Sequence, residues 1–130
     1  MKKVPLIVER TGNRFVGRTE FDNNLIFADE KSLDKLESKM KQLLKSFHGL
    51  EPNDIGFRHS YDLCALFDKF AYLKISAVAE IAGVNASLLR QYVIGNKQAS
   101  AQQAKKIESA IHKIGKELQN TQVYTSKERR

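Results

Sequence analysis

The hydrophobic period of this chain changes near residue 60, and that change limits what it can fold into. Before that point apolar residues recur mostly in twos; after it they recur in threes and fours. A period of two puts alternate side chains on opposite faces of a strand, and a period near 3.6 makes one stripe along a helix. A sheet-containing layer should therefore be followed by helices.

Residues 3–10 (KVPLIVER) are apolar and β-branched enough for a strand. Pro5 lacks the N–H that a central strand needs, so the strand should start there or lie on an edge. Residues 14–21 (RFVGRTEF) alternate: Phe15, Thr19 and Phe21 point one way, Arg14, Val16, Arg18 and Glu20 the other. Thr11-Gly12-Asn13 is hairpin chemistry, and Asp22-Asn23-Asn24 turns again into residues 25–29 (LIFAD). These predict a three-stranded antiparallel meander. Ser32 suits a helix N-cap, with Asp34 near the positive end of the dipole. Leu33, Leu36, Met40, Leu43, Leu44 and Phe47 give one apolar face, and Gly49 and Pro52 mark its stop. Residues 55–59 (IGFRH) suit a fourth, short strand, making the first half βββαβ.

In the second half, Leu63, Leu66, Phe67, Phe70 and Leu73 form a helix face. Val78, Ala79, Ile81 and Ala82 form a second, and Leu88, Leu89, Tyr92 and Val93 a third. Ser100 to Gln103 has the form of a capping box opening a long helix, with Ala104, Ile107, Ile111, Ile114 and Leu118 inward. The expected fold class is α+β: an N-terminal βββαβ layer and a C-terminal all-α helix-turn-helix bundle. The corresponding units are residues 1–60, residues 61–119 and a disordered basic tail, 120–130.

Gly83 sits between two segments that both read as helix. A mid-helix glycine costs roughly 1 kcal/mol relative to alanine. At the turn between two short helices it instead supplies a positive φ without steric cost. Ala79, four residues earlier, is small enough for a close crossing, and Asn85 can cap the next helix. Asn85 to about Ile94 then forms a recognition helix, with Ala86, Ser87, Arg90 and Gln91 on its outer face. Arg pairs well with guanine and Gln with adenine; Asn96, Lys97 and Gln98 fall near phosphate. The same residues also allow a plain packing reading, with Arg90 a solvated charge and Lys105, Lys106, Lys113 and Lys116 the wet side of an amphipathic helix.

Charge bears on that choice. The net charge is +7 and the sequence pI about 9.6. Residues 1–60 carry 11 basic and 9 acidic side chains, a net +2; residues 61–130 carry 11 and 6, a net +5. A basic balance in the helical half suits a polyanionic partner. The single cysteine, Cys64, excludes an internal disulfide, and no Cys/His cluster has zinc spacing. Behind Met1-Lys2-Lys3 no signal-peptide pattern follows, and no apolar run approaches a membrane span. A cytoplasmic, nucleoid-associated protein with no membrane partner is expected.

Enzyme chemistry is not expected. Glu9, Glu20, Asp22 and Asp29 are candidate carboxylates for metal-dependent cleavage, but a solvated sheet rim explains them. His48, His59 and His112 are scattered, and Cys64 reads as a structural thiol in an apolar helix. Phe15, Val16 and Phe21 could stack RNA bases, though sheet core or a protein interface suits them better. No catalytic residue, metal or cofactor is assigned.

Residues 61–118 resemble the λ-repressor-like helix-turn-helix. Tyr92, Gly95 and Lys97 fit the family's aromatic, glycine and basic-loop positions; Ala99-Ser100 departs from its frequent Pro-Ser. The whole organisation resembles the HicB antitoxins. KVPLIVERTGNRFVGRTEF is similar to their opening hairpin, and ADEKSLDKLESKMKQLLKSF to their strand end, acidic turn and helix. Asn23-Asn24-Leu25 and Ala28-Asp29 depart from the family's Pro-Gly-Cys and Gly-Asp sites. The resemblance implies a type II antitoxin that binds a HicA-like toxin, an mRNA-cleaving protein, through a partial RNase H-like sheet. It also implies repression of its own operon at a palindromic DNA operator. Stand-alone repression, or protein interaction without DNA binding, are the alternatives. One helix-turn-helix reads only a half-site, so a homodimer or higher oligomer is expected.

Overall fold

The structure, a computed structural model, describes residues 1–128. Strands β1 (Lys2–Thr11), β2 (Arg14–Phe21), β3 (Asn24–Glu30) and β4 (Ile55–Tyr61) form one sheet in the order β3-β2-β1-β4. The helices are α1 (Leu33–His48), α2 (Leu63–Lys69), α3 (Ile75–Ala82), α4 (Ala86–Val93) and α5 (Ala101–Gln119).

This architecture overturns the expected one on two points. The strands do not all lie in one N-terminal antiparallel layer: the fourth, β4, pairs parallel with β1, while β1–β2 and β2–β3 are antiparallel, so the sheet is mixed. The reason is the crossover. β3 runs parallel to β1, and α1 carries the chain back to the end where β1 begins; β4 can then only run alongside β1. Second, beyond α4 the chain forms one helix, α5, rather than a bundle, and it packs on the core shared with α2, α3 and α4. Only Ile107 and Ala110 of α5 are fully buried, and its lysines keep the remaining surface in water. Residues 121–125 have no regular element, and Ser126–Glu128 make a single 3-10 turn. Of the expected disordered tail, Arg129 and Arg130 lie outside the described residues.

Pro5 is also corrected, since β1 is an interior strand. The β1–β2 register begins only at Ile7 opposite Arg18. Beside Pro5 the buried Thr19 hydroxyl donates to the Pro5 carbonyl, so a side chain takes over where the ladder has stopped.

The two hairpins have two-residue loops. Asp22 and Asn23 both have positive φ, 51° and 62°, as a type I′ turn requires. Ser32 caps α1 by accepting from the Lys35 N–H. One sheet face, with Val4, Leu6, Val8, Phe15, Ile26 and Ala28, packs on Leu36, Met40 and Leu44 of α1. Gly17 permits that closeness: a Cβ there would lie 2.9 Å from the Leu36 side chain. Phe47, expected on this apolar face, is exposed at its end.

Phe67, Val78, Ala79, Leu89, Tyr92, Ile107 and Ala110 form a second core. α2 joins the two, because Ala65 is buried in the sheet core and Phe67 in the helical one. Asp62 fixes this joint. Its N–H donates to Val8 O, and its carboxylate accepts from the Ala65 and Arg10 N–H groups. Arg10 reaches on to Asp68 at 3.0 Å. α2 ends at Lys69, so Phe70 and Leu73 fall in the link to α3. Ile81, Ala104 and Leu118, expected inward, are exposed.

Candidate nucleic-acid interface

The best-defined candidate site is built on α3, α4 and the turn between them. Gly83 ends α3 with φ 71°, in the left-handed region. Its N–H and that of Val84 turn back onto the carbonyls of Glu80 and Ala79, a hydrogen-bonded helix stop that needs this backbone shape. Asn85 then starts α4: its Oδ1 accepts from the Leu88 N–H at 3.0 Å. Two short helices are thus stopped and restarted within three residues. Val78 and Ala79 of α3 and Leu89 and Tyr92 of α4 hold them on the helical core.

The predicted contact residues separate by exposure. Asn85, Ser87 and Arg90 are exposed along α4, and Arg90 makes no salt bridge among the described residues. Ala86 is half-buried against the helical core, so it belongs to packing as much as to an outer face. Gln91 is half-buried too. Its carbonyl accepts from the Asn96 and Lys97 N–H groups and folds the following loop back onto the end of α4. Asn96, Lys97 and Gln98 are exposed on that loop.

α5 adds further cations. Ser100 caps it through the Gln103 N–H. The reciprocal half of a capping box is missing: Gln103 Oε1 is buried without a partner. Lys105 pairs with Glu108 at 3.2 Å on an exposed surface. Lys105, Lys106 and Lys113 line a shallow groove with Gln102 and Ser109, floored by Ile81, Ala82 and Ala110. Just before α3, Tyr72 is 81% exposed and Lys74 is the N-cap residue.

The other candidates lie apart and pair locally. Glu9 is held by Arg18 and Asp29 by Arg14, and no group of three or more His, Cys, Asp or Glu could hold a metal ion among the described residues. His48 meets Asn24 and the Phe21 ring, and His59 pairs with Glu37. Cys64 lies in the cleft between the sheet side and the α4–α5 side. Burial pushes its thiol pKa up; Asp62 adds to the rise, Arg10 opposes it and Asp68 adds again. A thiol shifted that way holds its proton at neutral pH and is a poor nucleophile. Phe15 is buried and Phe21 faces α1, so neither offers a stacking surface. No described helix is long and apolar enough to cross a membrane.

No protein-family model, curated protein or solved structure matches this chain.

Proposed function

We propose that this chain is a DNA-binding regulator of the antitoxin type. In this reading α3 lies across the DNA backbone and α4 enters the major groove. Asn85, Ser87 and Arg90 meet base edges or phosphates, and Gln91 reads the groove from the flank. Asn96 and Lys97 hold phosphate, together with the α5 lysines. The observation that carries the reading is the Gly83 turn followed by Asn85-capped α4, which presents the unpaired Arg90. The net +5 of the C-terminal half supports it, since phosphate contacts supply much of the affinity for DNA.

The sheet unit is the proposed partner-binding half. Its face away from α1 carries Ile7, Val16, Leu25 and Phe27 among the Arg18–Glu9 and Arg14–Asp29 ion pairs, with Leu25 and Phe27 more than half exposed. Exposed apolar side chains set among ion pairs suit a protein partner. The resemblance to HicB antitoxins makes a HicA-type mRNA interferase the partner proposed.

Binding to the DNA upstream of its own gene, at two salt concentrations, tests the first half. Selective, salt-sensitive binding by the wild type, lost in Arg90→Ala/Gln91→Ala, is the expected result. A folded wild type without selectivity overturns the reading. Co-expression with a HicA-type toxin tests the second half: growth is rescued by the wild type and by Arg90→Ala/Gln91→Ala, and not by Phe27→Asp.

A further inference from the structure

β4 is an edge strand, and it carries aromatic rings along its open side. Phe57, His59 and Tyr61 lie opposite Val4, Leu6 and Val8 in the parallel register, so all three rings stand on the α1 side of the sheet. Phe70 and Tyr72, in the link between α2 and α3, continue the row. From Phe57 to Tyr72 successive ring centroids are 5.6–6.2 Å apart. Phe57 and Tyr61 pack partly on the sheet core, but none of the rings is buried, and Tyr72 stands in open solvent. Core packing accounts for the inner end of the row and not for the outer one.

The charges beside the row add a second observation. Lys41 Nζ lies 5.9 Å from the centroid of the Phe57 ring, Lys69 directly precedes Phe70, and Lys74 closely follows Tyr72. None of these lysines has a salt-bridge partner among the described residues, and neither has Asp34. Glu37, by contrast, is taken up by His59 at 2.8 Å. Asp34 lines the same cleft as His59, Tyr61 and Phe70. Open rings with free cations beside them are the two elements that hold a single nucleic-acid strand, the rings by stacking on bases and the cations by meeting phosphates. A duplex keeps its base faces inside and cannot use the rings. A free carboxylate beside the rings accepts a hydrogen bond from a 2′-hydroxyl, which RNA has and DNA lacks.

We propose that the aromatic row along β4 and the α2–α3 link is a binding platform for single-stranded RNA, separate from the DNA-facing side of α4. Bases stack from Tyr72 inward along the row, Lys41, Lys69 and Lys74 meet the phosphates, and Asp34 takes a 2′-hydroxyl.

Fluorescence anisotropy of a short labelled poly-U strand with the full chain provides the test, with poly-dU of equal length and a duplex RNA as competitors. Tyr72→Ala, Tyr72→Phe and Lys69→Glu/Lys74→Glu are measured beside the wild type. All these side chains are exposed, so the variants keep the fold; circular dichroism checks this. Wild type should bind poly-U in preference to both competitors. Tyr72→Ala should weaken binding about tenfold, the value of one base stacked on an aromatic ring. Tyr72→Phe should bind like wild type, and Lys69→Glu/Lys74→Glu should bind weakly and with a shallower salt dependence. No binding to poly-U, binding that Tyr72→Ala leaves intact, or equal affinity for poly-dU overturns the proposal. Arg90→Ala/Gln91→Ala separates it from the DNA reading. RNA binding kept in that variant supports the platform whether or not the wild type binds its operator; RNA binding lost there assigns the strand to α4 and overturns the platform alone.

Discussion

The sheet half and the helical half are held together by different means. In the sheet half, β1 binds β2 through a local hairpin but binds β4 across more than fifty residues, and the core is sealed by α1. In the helical half, α2, α3 and α4 are 7 or 8 residues each, too short to be stable alone. Side chains and turns compensate at their ends: Asp62 caps α2, Gly83 stops α3, Asn85 caps α4 and Ser100 caps α5. Long-range pairing makes one half. Local termini packed on a small core make the other.

The largest test of this contrast is a core truncation in each half. Leu36 and Leu89 are both fully buried. Each change to alanine should cost about 2–5 kcal/mol, with Leu36→Ala nearer the upper end because its site lies under Gly17 and cannot collapse readily. Urea midpoints at unchanged slope measure this. A larger loss for Leu89→Ala would reverse the order of the two cores.

Gly83→Ala comes next. A β-carbon in the left-handed region costs roughly 1–2 kcal/mol, and thermal unfolding should show that loss. No loss would mean that the turn can rearrange, which a terminus-built half should not tolerate. Asn85→Ala should cost about 1 kcal/mol through the lost cap. Asn85→Ser should recover most of it; if serine fails, capping is not what Asn85 supplies. Arg90→Ala should change stability by less than about 0.5 kcal/mol, as an exposed, unpaired side chain does, while weakening operator binding roughly tenfold, the value of one base contact.

The smallest effect is one of pH, and it belongs to the joint between the halves. Tyr61 and Cys64 both have raised pKa values, Tyr61 by burial first and then by Glu37, Cys64 by burial first. Each keeps its proton longer when folded than when unfolded, so the unfolded chain ionises first. Their contribution is whole below the ordinary thiol value of 9.0, starts to fade as pH passes that value and the ordinary phenol value of 10.0, and is lost once pH rises through the raised folded values. Urea midpoints at pH 8 and pH 10 should fall in that order, and Cys64→Ser/Tyr61→Phe should flatten the difference.

The contrast also explains what was legible in the sequence. The Phe15/Thr19/Phe21 alternation, the Ser32 cap and the Gly83 turn are local signals, written within a few residues of where they act. The interior position of β1 was not legible. Pro5 argues against it locally, and only the arrival of β4 and the Thr19 hydroxyl bond make it workable. The character of α5 was misread for a related reason: periodicity names a stripe but not where its cover ends, so Leu118 looked like core. In the candidate site, Asn85 and Arg90 followed from spacing. The half-burial of Ala86 depended on packing around α4, and the loop held by the Gln91 carbonyl depended on folding after it.

The parallel pairing of β1 with β4 carries a consequence for synthesis. Lys2 is paired with Ile55 and Val8 with Tyr61, so the outer edge of β1 has no partner until half the chain has been made. The first hairpin and α1 are complete before then, and the newly made layer presents β1 as an open, apolar edge. Such an edge accepts strands from other chains, and long-range pairing is the slow step in closing it. Crowding on the ribosome thus bears on the sheet half first, since the helical half is made later and its contacts are local.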